Sequence, residues 1–308
     1  MDMQRLFCNP LFLGVFTLLW SCGSVVAEER LSLTYQGVER SYLLEAPKGA
    51  EDPLALVIVL HGGGGNAENA VRMTGFADKA REEGFVAAFP EGSARIGNIR
   101  TWNAGHCCAY AADTQIDDIG FLNALMDDIN THIPIDPNRI YVTGMSNGAM
   151  MTHRAGIFLS RRIAAIAPVV GAVFGDEQMT KEPVSALIIN GALDKNVPLQ
   201  GGMGADEKRA NPVKDAPYAP ANAQVAFWLR ADHCADILPT VEEQKIVTQL
   251  ITGCAGGTEV QFVVVKDNGH AWPGGNKGSF FGDNPSRSYK ATDEIWAFFR
   301  DHPKNSGQ

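Results

Sequence analysis

Along residues 31–47, apolar and polar side chains alternate around Gln36-Gly37, the period-two pattern of a β-hairpin lying at a sheet edge. Beyond it the pattern changes. Residues 55–60, 85–89, 140–142, 163–170, 186–189 and 260–265 are short and apolar, as strands buried on both faces must be. Between these runs the apolar positions fall at helical spacing: Ile116, Ile119, Leu122, Leu125, Met126 and Ile129 in one stretch, and Val225, Phe227, Trp228 and Leu229 within 222–231 in another. Strand and helix therefore alternate. That order predicts an α/β fold, a mostly parallel central sheet with helices on both faces and functional groups on loops at the carboxyl ends of strands. Residues 201–220 and 272–285, rich in Gly, Pro and Asn, are expected to be long loops. No repeat or low-complexity linker divides the chain, so residues 28–308 are expected to form one catalytic domain.

The first residues differ from the rest. Arg5, an apolar run over 11–20 and small residues ending at Val25-Val26-Ala27 precede the charged Glu28-Glu29-Arg30, the layout of a secretory signal peptide over 1–27. The expectation is a secreted or periplasmic protein. Leu19-Trp20-Ser21-Cys22 also resembles a lipoprotein box, which leaves a lipid anchor at Cys22 as the alternative. No later segment is apolar for long enough to span a bilayer. A formal net charge of -9, with no dense Lys/Arg cluster, argues against nucleic acid as a partner. Four cysteines follow the leader, Cys107, Cys108, Cys234 and Cys254, and export favours disulfides. Adjacent Cys107 and Cys108 are expected to reach distant partners or to leave one thiol free. Cys234 and Cys254 can close a ring, or one of them can join Cys107 or Cys108. His106, Cys107 and Cys108 lack a second ligand pair at zinc spacing, so no metal is expected.

The chemistry concentrates at Gly144-Met145-Ser146-Asn147-Gly148, which joins an apolar strand to the helix-competent 149–159. A Ser on so sharp a strand-to-helix turn needs Gly or very small neighbours, and this context is the nucleophile elbow of α/β-hydrolases. A hydroxyl at neutral pH needs a base within hydrogen-bond reach and a third group to orient that base. In this architecture the acid and then the His follow the Ser. His270 directly follows the strand 260–265, whereas His233 and His302 sit at helical positions and His153 lies along the elbow helix. Asp194, in the loop after strand 186–189, is the expected acid, with Asp176 as its competitor; Asp117 and Asp118 are expected to cap a helix. Leu60-His61-Gly62-Gly63-Gly64-Gly65 follows the first central strand and suits an oxyanion loop. The N–H groups of Gly63, with Gly64 as the alternative, and of Asn147 are the expected donors, and His61 is expected to be structural. No phosphate-loop or dinucleotide spacing is present, and no cofactor is expected. Trp102 and Trp272, on loops following strands, are expected to line the substrate cleft.

His61-Gly62-Gly63-Gly64, Gly144-Met145-Ser146-Asn147-Gly148, Asp194 before Val197-Pro198, and Gly269-His270-Ala271-Trp272-Pro273-Gly274 together resemble the polyhydroxybutyrate depolymerase and feruloyl esterase group. Trp102 with Cys107-Cys108, residues 116–121, and Trp228 ahead of Cys234 extend the likeness over nearly the whole mature chain. The resemblance implies a cofactor-free α/β-hydrolase that cleaves esters of hydroxy acids or of phenolic acids, with a small-molecule or oligomeric ester as its partner. Ala149 departs from the Gly that many relatives carry there. No appended substrate-binding domain is seen, which favours soluble oligomers and feruloyl or acetyl esters over solid polymer. A peptidase or amidase of the same fold, and a non-catalytic carbohydrate or polyester binder, are the competing functions.

Overall fold

The computed structural model describes residues 29–204 and 216–304. The expected leader over 1–27, with Cys22, lies outside the described residues. The strands in chain order are β1 (Glu29–Tyr35), β2 (Val38–Glu45), β3 (Leu54–Leu60), β4 (Val86–Pro90), β5 (Ile135–Met145), β6 (Ala165–Val169), β7 (Ser185–Gly191), β8 (Asp236–Ile237), β9 (Val241–Glu243), β10 (Ile246–Thr252) and β11 (Val260–Val265). The helices are α1 (Ala67–Thr74), α2 (Phe76–Glu83), α3 (Ala109–Asp113), α4 (Asp118–His132), α5 (Asn147–Phe158), α6 (Ala221–Ala231) and α7 (Ala291–Asp301).

The hairpin forms where the alternation places it. β1 and β2 pair antiparallel, with Tyr35 opposite Val38, and Gln36 and Gly37 turn the chain with φ of 50° and 77°. The sheet order is β1-β2-β4-β3-β5-β6-β7-β11-β10-β8, with β9 paired to β10. From β4 to β11 every neighbouring pair is parallel.

Successive side chains of a strand point to opposite faces, and both faces are covered. Leu56, Ile58 and Leu60 of β3 join a core with Leu122 and Leu125 of α4, Met151 and Ala155 of α5, and Phe227 and Trp228 of α6. Val57 and Val59 point the other way, into a core with Ala70 of α1, Phe76 of α2, and Ile295 and Phe299 of α7. The fully apolar strand sequences are the direct consequence of these two cores.

The antiparallel extension β8 to β10 has no apolar run to announce it: every residue of β8 and β9 is exposed. Cys234 and Cys254 are disulfide-bonded across a separation of 20 residues, fastening the end of α6 to the chain that leaves β10. A ring of that size is worth about 3 kcal/mol in the chain-entropy account. Cys107 and Cys108 pair with each other, contrary to the expectation that they reach distant partners or leave one thiol free, and the peptide bond between them is cis.

Candidate active site

β5 delivers Ser146 at its carboxyl end, and α5 starts at the next residue. The Ser146 backbone sits at φ 58°, ψ -121°, a conformation that L-residues avoid and that persists only where the surroundings enforce it. Its N–H donates to the Val169 carbonyl at 3.0 Å and its carbonyl accepts from the Met150 N–H at 3.0 Å. The flanking glycines have no room for a side chain. A Cβ on Gly144 would lie 2.7 Å from the Gly148 carbonyl oxygen, and one on Gly148 would overlap the carbonyls of Leu60 and His61.

The other two members of the expected triad arrive from adjacent strands. β7 and β11 run parallel with Gly191 opposite Val265, so the loops that leave them meet. The Leu193 N–H donates to the Asn268 carbonyl at 2.9 Å, linking the two loops. Asp194 is buried, and its Oδ1 accepts the N–H groups of Asn196 at 2.8 Å and Val197 at 2.9 Å. Its Oδ2 lies 2.8 Å from His270 Nδ1, and His270 Nε2 lies 2.9 Å from Ser146 Oγ. A carboxylate only accepts, so the Nδ1 proton faces Asp194 and the Nε2 lone pair faces the Ser hydroxyl. Asp176, the competing acid, is exposed and bonds His106 Nε2 at 2.7 Å instead. His153 is buried between the Trp228 indole N–H and Gln224 Oε1, and burial pushes its imidazole down to about 4.

The glycine loop after β3 faces the elbow. The Gly64 N–H is taken by the Arg100 carbonyl at 2.8 Å and the Gly65 N–H by the Gly62 carbonyl at 3.0 Å, which removes Gly64 as a donor. The N–H groups of Gly63 and Asn147 meet no acceptor among the described residues, and a Cβ placed on Gly63 would lie 3.5 Å from that of Asn147. His61 holds this loop in shape. Its Nε2 accepts the Gly92 N–H at 3.0 Å, so its Nδ1–H donates to the Gly62 carbonyl at 2.8 Å. Burial lowers the His61 imidazole to about 4, keeping it neutral in that role.

A pocket of about 320 Å³ opens over Ser146 and His270, walled by Gly62 to Gly65, Met73, Met145 and the segment from Gly278 to Asp283. Neither expected tryptophan reaches it. Trp102 is fully buried: its indole N–H donates to the His61 carbonyl, and its backbone N–H and carbonyl clasp the Asn147 side-chain amide. Trp272 is equally buried, against Phe76, with its indole N–H donating to Thr292 Oγ1. Closeness in sequence to a loop residue does not say which way a side chain turns, and both rings turn into the cores. The apolar groups beside the pocket are ones the sequence reading passed over. Phe281, 93% exposed, lines it with Phe280 packed edge-on beside it, and the exposed Ile99 stands over Gly64.

A mostly parallel sheet covered on both faces, with a Ser in a strand-to-helix elbow and Asp and His on the loops of later strands, defines an α/β-hydrolase. Solved structures share the fold. An acetyl xylan esterase from Aspergillus awamori aligns with a TM-score of 0.60 at 13% identity, covering 88% of this chain and 99% of that one. The chain belongs to the esterase PHB depolymerase family, whose model matches residues 40–200. Feruloyl esterase B of Piromyces equi is 27% identical over 248 residues, which are 78% of this chain and 44% of that protein, so the likeness spans under half of that relative. Feruloyl esterase C of Emericella nidulans is 27% identical over 196 residues, 62% of this chain and 69% of the relative.

Proposed function

We propose that this protein is a serine carboxylesterase acting through an acyl-enzyme, with Ser146 as nucleophile, His270 as base and Asp194 as orienting acid. The observation that carries the reading is the continuous hydrogen-bonded chain from Asp194 through His270 to Ser146 Oγ. Ser146 Oγ attacks the ester carbonyl and its proton passes to His270 Nε2; the imidazolium is steadied by Asp194, whose Oδ1 is fixed in place by the N–H groups of Asn196 and Val197. The carbonyl oxygen, now negative, is received by the N–H groups of Gly63 and Asn147, positioned before the reaction begins. His270 then protonates the leaving alkoxide, and water enters by the same route to release the acid.

The exposed Phe281 ring on the pocket wall, with Met73 and Met145 lining the same cavity, favours an acyl group with a large apolar surface, a phenolic acid or a hydroxy-acid oligomer, consistent with the feruloyl esterases among its relatives. The leader-like 1–27 and the disulfides support an exported enzyme. No helix among the described residues is long and apolar enough to cross a membrane.

A fluorophosphonate probe should label the wild type at Ser146 and leave Ser146→Ala unlabelled, with methyl ferulate and hydroxybutyrate oligomers assayed alongside a peptide amide. Labelling of the Ser146→Ala protein at an undiminished level, or cleavage of the amide in preference to every ester, would overturn the reading.

A further inference from the structure

Arg40 stands behind the glycine loop, and one of its nitrogens is bonded toward both candidate oxyanion donors. β2 pairs antiparallel with β4, with Tyr42 opposite Pro90, which carries Arg40 to the level of Glu91 and Gly92. The guanidinium is buried, 3.8 Å from the centre of the Phe121 ring. Its Nη2 donates twice, to the Glu91 carbonyl at 3.0 Å and to Asp118 Oδ1 at 2.9 Å. An ion pair alone needs only the second of these bonds.

From the first bond a chain of donors runs in one direction. The Glu91 carbonyl and the Gly92 N–H belong to one peptide group, and that N–H donates to His61 Nε2 at 3.0 Å. His61 Nδ1–H donates to the Gly62 carbonyl at 2.8 Å, and the Gly62 carbonyl shares its peptide group with the Gly63 N–H. A peptide group that accepts at its oxygen becomes a better donor at its nitrogen, so bonds aligned head to tail strengthen one another. Neutral imidazole suits the middle position because it accepts at one nitrogen and donates at the other. Packing leaves no slack at the joint: a Cβ on Gly92 would lie 3.1 Å from the His61 ring and 2.6 Å from the Thr101 carbonyl oxygen.

The second bond leads to the other donor. Asp118 Oδ2 accepts the Asn103 N–H at 2.8 Å, and the same peptide group presents the Trp102 carbonyl to the Asn147 side-chain amide at 3.1 Å. The Trp102 N–H closes that clasp on Asn147 Oδ1 at 2.7 Å. Asn147 is therefore held by a strip of chain that Asp118, and through it Arg40, keeps in place. A buried ion pair seldom stabilises a fold better than apolar side chains of the same volume, so its location behind both donors calls for another reason. We propose that Arg40 is a positioning residue for ester cleavage: its Nη2 aligns Gly63 through the 91–92 peptide and His61, and Asn147 through Asp118 and the 102–103 peptide. The proposal rests on the esterase reading, with Ser146 as nucleophile.

The test uses the full chain, an acetyl ester as substrate and an aryl trifluoromethyl ketone, whose Ser146 adduct places a charged oxygen between the two donors. Active sites are counted by fluorophosphonate titration, so that every constant refers to folded enzyme. Arg40→Met together with Asp118→Asn removes both charges and leaves no unpaired carboxylate. Losing an oxyanion donor outright costs about 10² to 10³ in kcat, and misaligning two should cost about ten- to a hundredfold. KM should stay within about threefold, and Ki for the ketone should rise by the same factor as kcat/KM falls. Arg40→Lys should recover most of the loss, because both bonds start from one nitrogen and an ammonium can make both. His61→Asn, which leaves the ion pair intact, keeps a donor for Gly62 and loses the acceptor for Gly92; it should show the same pattern on its own. Combined with the first pair of changes it should cost little more, since the Gly63 branch is already broken. A pair kept only for folding would lower Tm and leave kcat and Ki per active site within about threefold of wild type, which overturns the proposal, as do losses that multiply when the variants are combined. Failure of the wild type to take up either reagent at Ser146 would instead overturn the esterase reading, and this proposal with it.

Discussion

The side-chain carboxylate of Asp283 accepts a hydrogen bond from the backbone N–H of His270 at 2.7 Å. Asp283 belongs to the segment that walls the pocket, and it lies so close to Gly269 that a Cβ there would collide with it. The same segment is fastened to α1 by Arg72, whose guanidinium donates to the Lys277 and Gly278 carbonyls, and by Asn69, whose amide donates to Gly278. The position of the candidate base is thus set partly from outside its own loop.

Removing that acceptor should act on catalysis more than on substrate affinity. A hydrogen bond to a charged group is worth about 1.5–3 kcal/mol, so Asp283→Ala should lower kcat about ten- to a hundredfold, and Asp283→Asn, which keeps an acceptor, should restore most of it. Steady-state kinetics with a short acetyl ester, beside melting curves, checks this. A fall in Tm with kcat intact would show an anchor without influence on His270.

The two candidate acids should separate cleanly. Asp194→Asn keeps the shape but favours the wrong imidazole tautomer, and a loss of about 10³ to 10⁴ in kcat is expected. Asp176→Asn, whose carboxylate faces His106, should stay within about threefold on a short ester. The reverse order in measured kcat would move the role to Asp176.

Trp102 and Phe281 should also behave unlike each other. Trp102→Phe removes the indole bond to the His61 carbonyl behind the glycine loop, so it should lower Tm and depress kcat on short and bulky esters by the same factor. Phe281→Ala should leave Tm within a degree or so, because the ring is exposed, and should reduce the preference for aromatic over acetyl esters through KM. Equal losses on both substrates for Phe281→Ala would contradict its position at the pocket.

Asp232 makes stability pH-dependent. It is buried after α6, and desolvation pushes its carboxyl up to about 7 against the lowering effect of the Val184 N–H it accepts. A raised carboxyl favours the folded state only while protonated: the contribution is full below the unfolded value near 4 and is lost as pH rises through about 7. Asp232→Asn does not titrate, so its advantage over wild type in urea unfolding should grow from pH 4 to 8, to on the order of 3 kcal/mol. An advantage that shrank as pH rose would contradict the assignment.

The parallel strands and the Ser146, Asp194 and His270 group were legible because their requirements are local. A strand buried on both faces has to be apolar throughout, and an elbow has to carry Gly144 and Gly148. What escaped the sequence depends on direction or distance. β9, made of Val241, Glu242 and Glu243 and exposed along its length, carries no burial signal. Trp272 neighbours His270 in the chain yet points into the opposite core, where it meets Phe76. Asp283 reaches His270 from a separate stretch of chain, and only the anchoring by Asn69 and Arg72 explains how. The pairing of Cys107 with Cys108 depends on the backbone between them, which residue types and spacing do not specify.

Ser146, Asp194 and His270 are seated at the ends of sheet strands, whereas Phe280 and Phe281 ride on a stretch held at both margins by hydrogen bonds, from Asn276 to α1 and from His270 to Asp283. That stretch is a cassette. Residues 279–282 can be randomised, or exchanged for those of a relative, without altering one residue of either hydrophobic core. A library confined to them, with Asn276 and Asp283 retained as its two clasps, would sample new acyl preferences at almost no risk to folding.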